Sequence, residues 1–217
     1  MRISVSIVMI ALLLAGCSEG IIQDNITKQE IVKIKDMEGM QVYDHQYDNM
    51  DRGHHELDGV PIVVDPAYYE AAPIQRGDIV YYRNPKLDNP TLHLSEFEIS
   101  RVVALPGETI HMEKGQIYIN GKQLDTFYGK AHRLGMDVEQ LQKLSNQSDV
   151  SDNVRQSMKM NAEEILLGKD TNRTEKKVPN DQYYIIGDDW FRSADSRHFG
   201  TIAKDNILGK VVGITSE

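Results

Sequence analysis

Gly187-Asp188-Asp189-Trp190-Phe191-Arg192-Ser193-Ala194-Asp195-Ser196-Arg197-His198-Phe199-Gly200 (GDDWFRSADSRHFG) is the stretch on which the fold turns. It carries neither a period of two nor one of 3.6, and glycine bounds it at both ends, so it reads as an ordered turn between regular elements. Its acids, Asp188, Asp189 and Asp195, could together hold a divalent cation, but Arg192 and Arg197 balance them within the same turn. An Asp195–Arg197 ion pair that shapes the backbone is the reading preferred here, and no metal or cofactor is expected.

Working outward, the flanks are β. Gln182–Asp188 runs into the turn and Ile207–Thr215 follows it, both rich in β-branched and aromatic residues. Upstream lie Pro61–Asp65, Gly77–Arg83, Phe97–Leu105 closed by Pro106-Gly107, then Thr109–Met112, Gln116–Asn120 and Gln123–Leu124. Asn120-Gly121 joins the last two as a hairpin turn, since both residues tolerate positive φ. Between these blocks Leu134, Val138, Leu141 and Leu144 recur at helical spacing, as do Val154, Met158, Ala162 and Ile165, with Ser151 or Asp152 as a cap and Gly168 as a stop. The expectation is a mainly β domain over residues 36–217 with a helical insertion at about 128–178. Residues 36–59, dense in Asp, Met, His and Gly, read as irregular and surface-facing.

The N-terminus has its own logic. Arg2 precedes an apolar run, Ile3–Leu14, that is shorter than the ~20 residues a spanning helix needs. Leu14-Ala15-Gly16-Cys17 follows, so residues 1–16 read as an export signal of the lipoprotein kind. Cys17 is then the lipidated residue, residues 17–35 a polar tether with a first regular element near Ile31–Ile34, and the outer face of the bacterial cell membrane the address. Cys17 is the sole cysteine of the 217 residues, which excludes an intramolecular disulfide. The net charge of −9 disfavours a nucleic-acid partner, and 40% hydrophobic content is ample for a core.

Four blocks now line up. Arg76-Gly77-Asp78-Ile79-Val80-Tyr81-Tyr82 opens a strand. Arg101-Val102-Val103-Ala104-Leu105-Pro106-Gly107-Glu108 ends one, and Gln116–Gly121 forms the hairpin after it. The glycine-bounded turn comes last, with Gly187, Asp188, Ser193, Asp195, Ser196, Arg197 and Gly200 in order. In this order they resemble the boxes of bacterial type I signal peptidases, the S26 serine peptidases, with Asp189 standing where that family usually has asparagine. The resemblance implies a coiled β-sheet or half-barrel domain that cleaves signal peptides from exported preproteins with a serine–lysine dyad.

That dyad is what the sequence lacks. The family's serine precedes a methionine upstream of the Arg-Gly-Asp strand. Here the matching pair is Asn49-Met50, preferred over the more distant Asp36-Met37. The family's lysine precedes the arginine matched by Arg101, and Ser100 stands there. An amide nitrogen delocalised into its carbonyl does not attack a peptide bond, and a serine hydroxyl is no general base near neutral pH. Ser193, which supports the lysine in the family, is kept without its partner. The resemblance therefore implies an inactive, peptide-binding homologue, acting on extended or signal-peptide segments or on an active signal peptidase. The alternative is an active endopeptidase with a rebuilt dyad, in which Ser95, Ser100 or Ser196 acts with a buried lysine. His45, His54 and His55, among Asp44, Asp48, Asp51, Glu56 and Asp58, invite a metal, but their spacing matches no zinc pattern.

Overall fold

The computed structural model describes residues 20–87 and 94–216. The Cys17 reading lies outside them. The strands are β1 (Ile21–Gln23), β2 (Lys33–Ile34), β3 (Gln41–His45), β4 (Val60–Asp65), β5 (Ile79–Arg83), β6 (Phe97–Ala104), β7 (Thr109–Glu113), β8 (Gln116–Ile119), β9 (Lys122–Asp125), β10 (Arg173–Lys177), β11 (Gln182–Ile186), β12 (Ile202–Ala203) and β13 (Ile207–Thr215). The helices are α1 (Tyr68–Ala71), α2 (Val138–Ser145), α3 (Asp152–Leu167) and α4 (Ser196–Phe199).

Two sheets form. The larger runs β12-β11-β6-β5-β13-β4-β3, with β2 parallel to the end of β13, and the smaller runs β1-β9-β8-β7-β10. The larger sheet curls into a half-barrel. Tyr43 on β3 stacks on Tyr81 of β5 at 4.3 Å, and Tyr81 stacks on Phe97 of β6 at 5.7 Å, so the far edge of the sheet folds back toward its middle. Met50, Leu57, Ile62, Val64, Ile99 and Val211 fill the curl. Burying each such side chain contributes roughly 1.5–3 kcal/mol, which is what holds the curvature. The smaller sheet buries its other core against the helices, through Ile117, Leu124, Leu141 and Ile165.

The expected strands are present, and Asn120 and Gly121 take φ of 51° and 73° in the β8–β9 hairpin. Four expectations need correction. The segment read as irregular contains β3, whose five residues pair antiparallel with β4 from Gln41↔Val64 to His45↔Val60. The segment read as tether contains β1, parallel to β9, and its apolar Ile22 packs against the helix-side core. The helical insertion ends in β10, an all-polar edge strand paired with β7. Leu134 is exposed at φ 55° rather than part of α2, which starts after an Asp137–Gln140 capping box. The second helix meets its expected stop at Gly168.

Candidate active site

The glycine-bounded turn from Gly187 to Gly200 is built from inside by two buried ion pairs. Arg197 donates from Nε and a terminal nitrogen to the two carboxylate oxygens of Asp195, each at 2.8 Å, and stacks 5.0 Å from Trp190. Asp195 also accepts from the Gly187 and Arg197 backbone N–H groups and caps α4, which Gly200 closes with an N–H to Ser196. The Ser196 hydroxyl accepts from Ile185 N–H at 2.9 Å, tying the turn to β11. Asp188 is held by the other pair: Arg101 donates two bonds to it, at 2.7 and 2.6 Å, and a third to the Gly77 carbonyl, while lying over Phe127 and Tyr128. With side chains 3–4% exposed, such a pair is tolerated because each guanidinium nitrogen donates a hydrogen bond. Asp189 faces Arg192. Each acid of the turn therefore faces an arginine, but Arg192 is shared, with its 2.6 Å contact going to Asp48, and Asp188 is balanced from β6 by Arg101 rather than from within the turn as expected.

Around this frame the other motif residues fall into supporting places. Asp78 accepts from Gln75 N–H and Tyr69 and pairs with Lys210 at 2.6 Å. Pro106-Gly107 makes the turn after β6, where Gly107 N–H donates to Val178 and Arg76 pairs with Glu108 at 2.6 Å.

Asn49 and Ser193 meet. The single proton of the Ser193 hydroxyl is shared between the Asn49 main-chain carbonyl, at 3.0 Å, and the Asp189 carbonyl, and Asp189 N–H donates to the same Asn49 oxygen at 2.9 Å. Gly187 makes this approach sterically feasible: a Cβ there would lie 1.9 Å from Ser193 Oγ and 2.5 Å from Asn49 O. Met50 is fully buried beside Asn49, whereas Asp36 and Met37 are exposed.

The Asn49 carboxamide is fixed at both ends. Its Nδ2 donates to the Ile99 carbonyl at 2.7 Å, and its Oδ1 sits 3.0 Å from His45 Nε2. Since Oδ1 can only accept, the imidazole presents Nε2–H to it. The other ring nitrogen faces Glu98 Oε1 at 3.7 Å. Burial raises the Glu98 carboxyl to about 7, against the opposing Ile99 N–H and Ser95 hydroxyl, and burial lowers His45 against its bond to Asn49. Glu98 was not foreseen, although it shares the period-two face of β6 with Ser100.

Ser100 lies next to this group, 1% exposed and opposite Val80, and its hydroxyl touches the buried Tyr82 hydroxyl at 3.4 Å. Among the described residues no hydrogen bond joins Ser100 to Asn49 or Ser193, so the three positions share a neighbourhood without a common network. The serines weighed for a rebuilt dyad have other partners: Ser95 bonds Phe97 O and Glu98, Ser196 accepts from Ile185, and Ser100 meets Tyr82. Lys210 is not a neutral base: burial pushes it down, but the hydrogen bond and charge of Asp78 outweigh this and raise it overall. The histidines are dispersed. His45 points inward, His55 faces Asp51 and Asp58 at the surface, and no metal-holding group of three acids, histidines or cysteines occurs among the described residues.

A curled, mainly β domain with this glycine-bounded turn defines the class. The family model for signal peptidase, peptidase S26, matches residues 32–215, and the chain belongs to that family. It is similar to signal peptidase I V of Bacillus subtilis strain 168, 32% identical over 154 residues that make up 71% of this chain and 74% of that protein. It is also similar to signal peptidase I of Bacillus caldolyticus, 30% identical over 151 residues, covering 69% of this chain and 66% of that one. A crystal structure of a signal peptidase I from Enterococcus faecalis V583 matches 64% of this chain and 97% of its own, at 23% identity and a TM-score of 0.41. No helix among the described residues is long and apolar enough to cross a membrane.

Proposed function

We propose that this protein is a catalytically silent S26 homologue, lipid-anchored through Cys17 at the outer face of the bacterial cell membrane, that binds extended peptide segments of exported proteins without cutting them. It thereby sequesters such segments or modulates an active signal peptidase. The observation that carries the reading is the Asn49 carboxamide, locked between His45 and the Ile99 carbonyl at the position where the family resemblance calls for an attacking hydroxyl. An amide in that seat has N–H protons too weakly acidic for a general base to remove and a nitrogen lone pair delocalised into its carbonyl, so it does not attack an acyl carbon as a hydroxyl would. Ser100, at the lysine position, offers a hydroxyl bonded only to another hydroxyl.

Peptide binding is supported by the outer edge of β3, the strand that ends the larger sheet and carries His45. On β6 the Ile99 N–H and carbonyl are already taken by Glu98 and Asn49, so strand addition falls to β3. Strand addition to such edges needs main-chain contact and small-residue pockets, neither of which depends on a nucleophile.

The test is binding of a fluorescent peptide spanning a small-x-small cleavage sequence to the full chain in detergent. Saturable binding with the peptide recovered intact is expected. No binding, or a steadily falling amount of intact peptide, contradicts the proposal. Intact mass of the membrane-extracted protein checks the anchor: the expected product begins at a diacylated Cys17, and an unmodified cysteine overturns that part.

A further inference from the structure

His45 and Glu98 have no place in a serine–lysine scheme, and the turn frame does not need them. They nonetheless form a line of buried groups ending on residue 49: Glu98 Oε1 at 3.7 Å from one ring nitrogen of His45, and Asn49 Oδ1 at 3.0 Å from the other. His45 is 5% exposed, at the end of β3, and Glu98 lies on the Ser100 face of β6. The curl of the sheet is what brings the two strands together. From this the geometry points to a second kind of base in this site: His45, positioned by Glu98, addresses the vacated nucleophile position, so that a nucleophile restored at residue 49 hydrolyses peptide or ester bonds by histidine chemistry with no lysine at residue 100. The inference rests on reading residue 49 as the vacated position.

The proton bookkeeping is consistent. In the native chain Nε2–H donates to a carboxamide oxygen, and the imidazole has nothing to deprotonate. With Asn49→Ser the acceptor is gone, and the ring can hold its proton on the nitrogen facing Glu98, freeing Nε2 to accept from the hydroxyl. The hydroxyl oxygen then bonds to the acyl carbon while its proton passes to Nε2. The imidazolium is balanced by Glu98 and returns the proton to the leaving amine as the C–N bond breaks. Water repeats the sequence to release the acid. The groups facing the imidazole are Asp58 from the β3–β4 loop, whose charge favours the charged ring, Glu98 from β6, which adds its charge once it has lost its own proton at about pH 7, and the Tyr47 ring. Ser100 and its partner Tyr82 stay out of the path.

A serine oxygen sits closer to its own backbone than Asn49 Oδ1 does, so Asn49→Cys, with its longer bond and larger atom, is made in parallel. The full chain in detergent is assayed with a small-x-small peptide and an activated ester, as the native protein, N49S, N49C, N49S/H45Q, N49S/E98Q and N49S/S100K. N49S or N49C is expected to exceed the native chain by about a hundredfold or more. Its rate should rise with pH as the imidazole loses its proton, and E98Q should shift that profile. N49S/H45Q should fall back to background. As a second readout, the thiol of N49C should alkylate faster at pH 6–7 than that of N49C/H45Q, made for this comparison, with the native chain carried through the same labelling as the blank.

If N49S and N49C are inert while N49S/S100K turns over, the base is a lysine and the inference is wrong, though residue 49 is correctly assigned. Should all variants be inert, the assignment of residue 49 fails and the inference with it. Cleavage by the native chain would instead overturn the proposed silent function, independently of how the variants behave.

Discussion

Gly187 is where the site is most sensitive to a single carbon atom. A methyl group there would occupy the space through which Ser193 reaches the Asn49 carbonyl. Gly187→Ala is expected to destabilise the protein by roughly 1–3 kcal/mol, the range for overpacking, read as a lowered denaturant midpoint. Removing one side of the Arg101–Asp188 pair should cost more. Asp188→Ala leaves a buried guanidinium unpaired, and a loss of roughly 3–5 kcal/mol in urea unfolding is the expected result. The Asp195–Arg197 pair was legible in the sequence because its partners sit two positions apart, whereas the Arg101–Asp188 pair was not, its partners being 87 positions apart on β6 and in the turn. Nor was the Glu98–His45 line. His45 lies in a stretch with no period, far from β6 in sequence, and only the curl of the sheet makes them neighbours.

The elements that escaped sequence reading are the short and polar ones. β10 is Arg-Thr-Glu-Lys-Lys, with no apolar face to betray it, and its charges suit an edge that must not pair with another chain. β1 is three residues long and β2 two, too short to carry a period, and of the pair only β2 was read in the sequence, as a first regular element near Ile31–Ile34. They are strands because the larger structure offers them a partner. β2 depends on Gly213, where a Cβ would lie 2.1 Å from the Val32 carbonyl and 3.0 Å from Ile34. Gly213→Ala is expected to detach β2 while leaving the two cores intact. The amides of Ile214 and Ser216, which donate to Val32 and Ile34, should then exchange with solvent much faster, by a hundredfold or thereabouts, as fits local opening. Unchanged protection at those amides would mean the N-terminal segment is held by other contacts. The helices, by contrast, were readable from their apolar stripes, because Leu141, Met158, Ala162 and Ile165 do face the core.

At the scale of the whole molecule, the buried Glu98 sets a dependence of stability on pH. Its folded value of about 7 lies above the ordinary 4.5, so the folded state holds a proton the unfolded chain has released. Its contribution is fully present below pH 4.5 and is lost as pH rises toward and through 7, by roughly 1–3 kcal/mol. His45 works in the opposite direction, since its lowered value costs stability as pH falls below the ordinary 6.5. The two slopes oppose each other, so the clean measurement is a difference: Glu98→Gln should gain on the native protein in melting temperature between pH 5 and 7.5. A constant difference across that range would show that Glu98 titrates normally.

The half-barrel and its turn were visible in the sequence as family boxes; the chemistry that occupies the cleft was visible only as two departures, Asn49 and Ser100. Incubating the native full chain at equal concentration with a preprotein-derived peptide in detergent, and weighing the products by mass spectrometry, tests their meaning most directly. The account predicts the peptide at its starting mass after prolonged incubation. Two fragments meeting at a small-x-small boundary, formed at a rate set by the chain and absent from a heat-unfolded control, would contradict it.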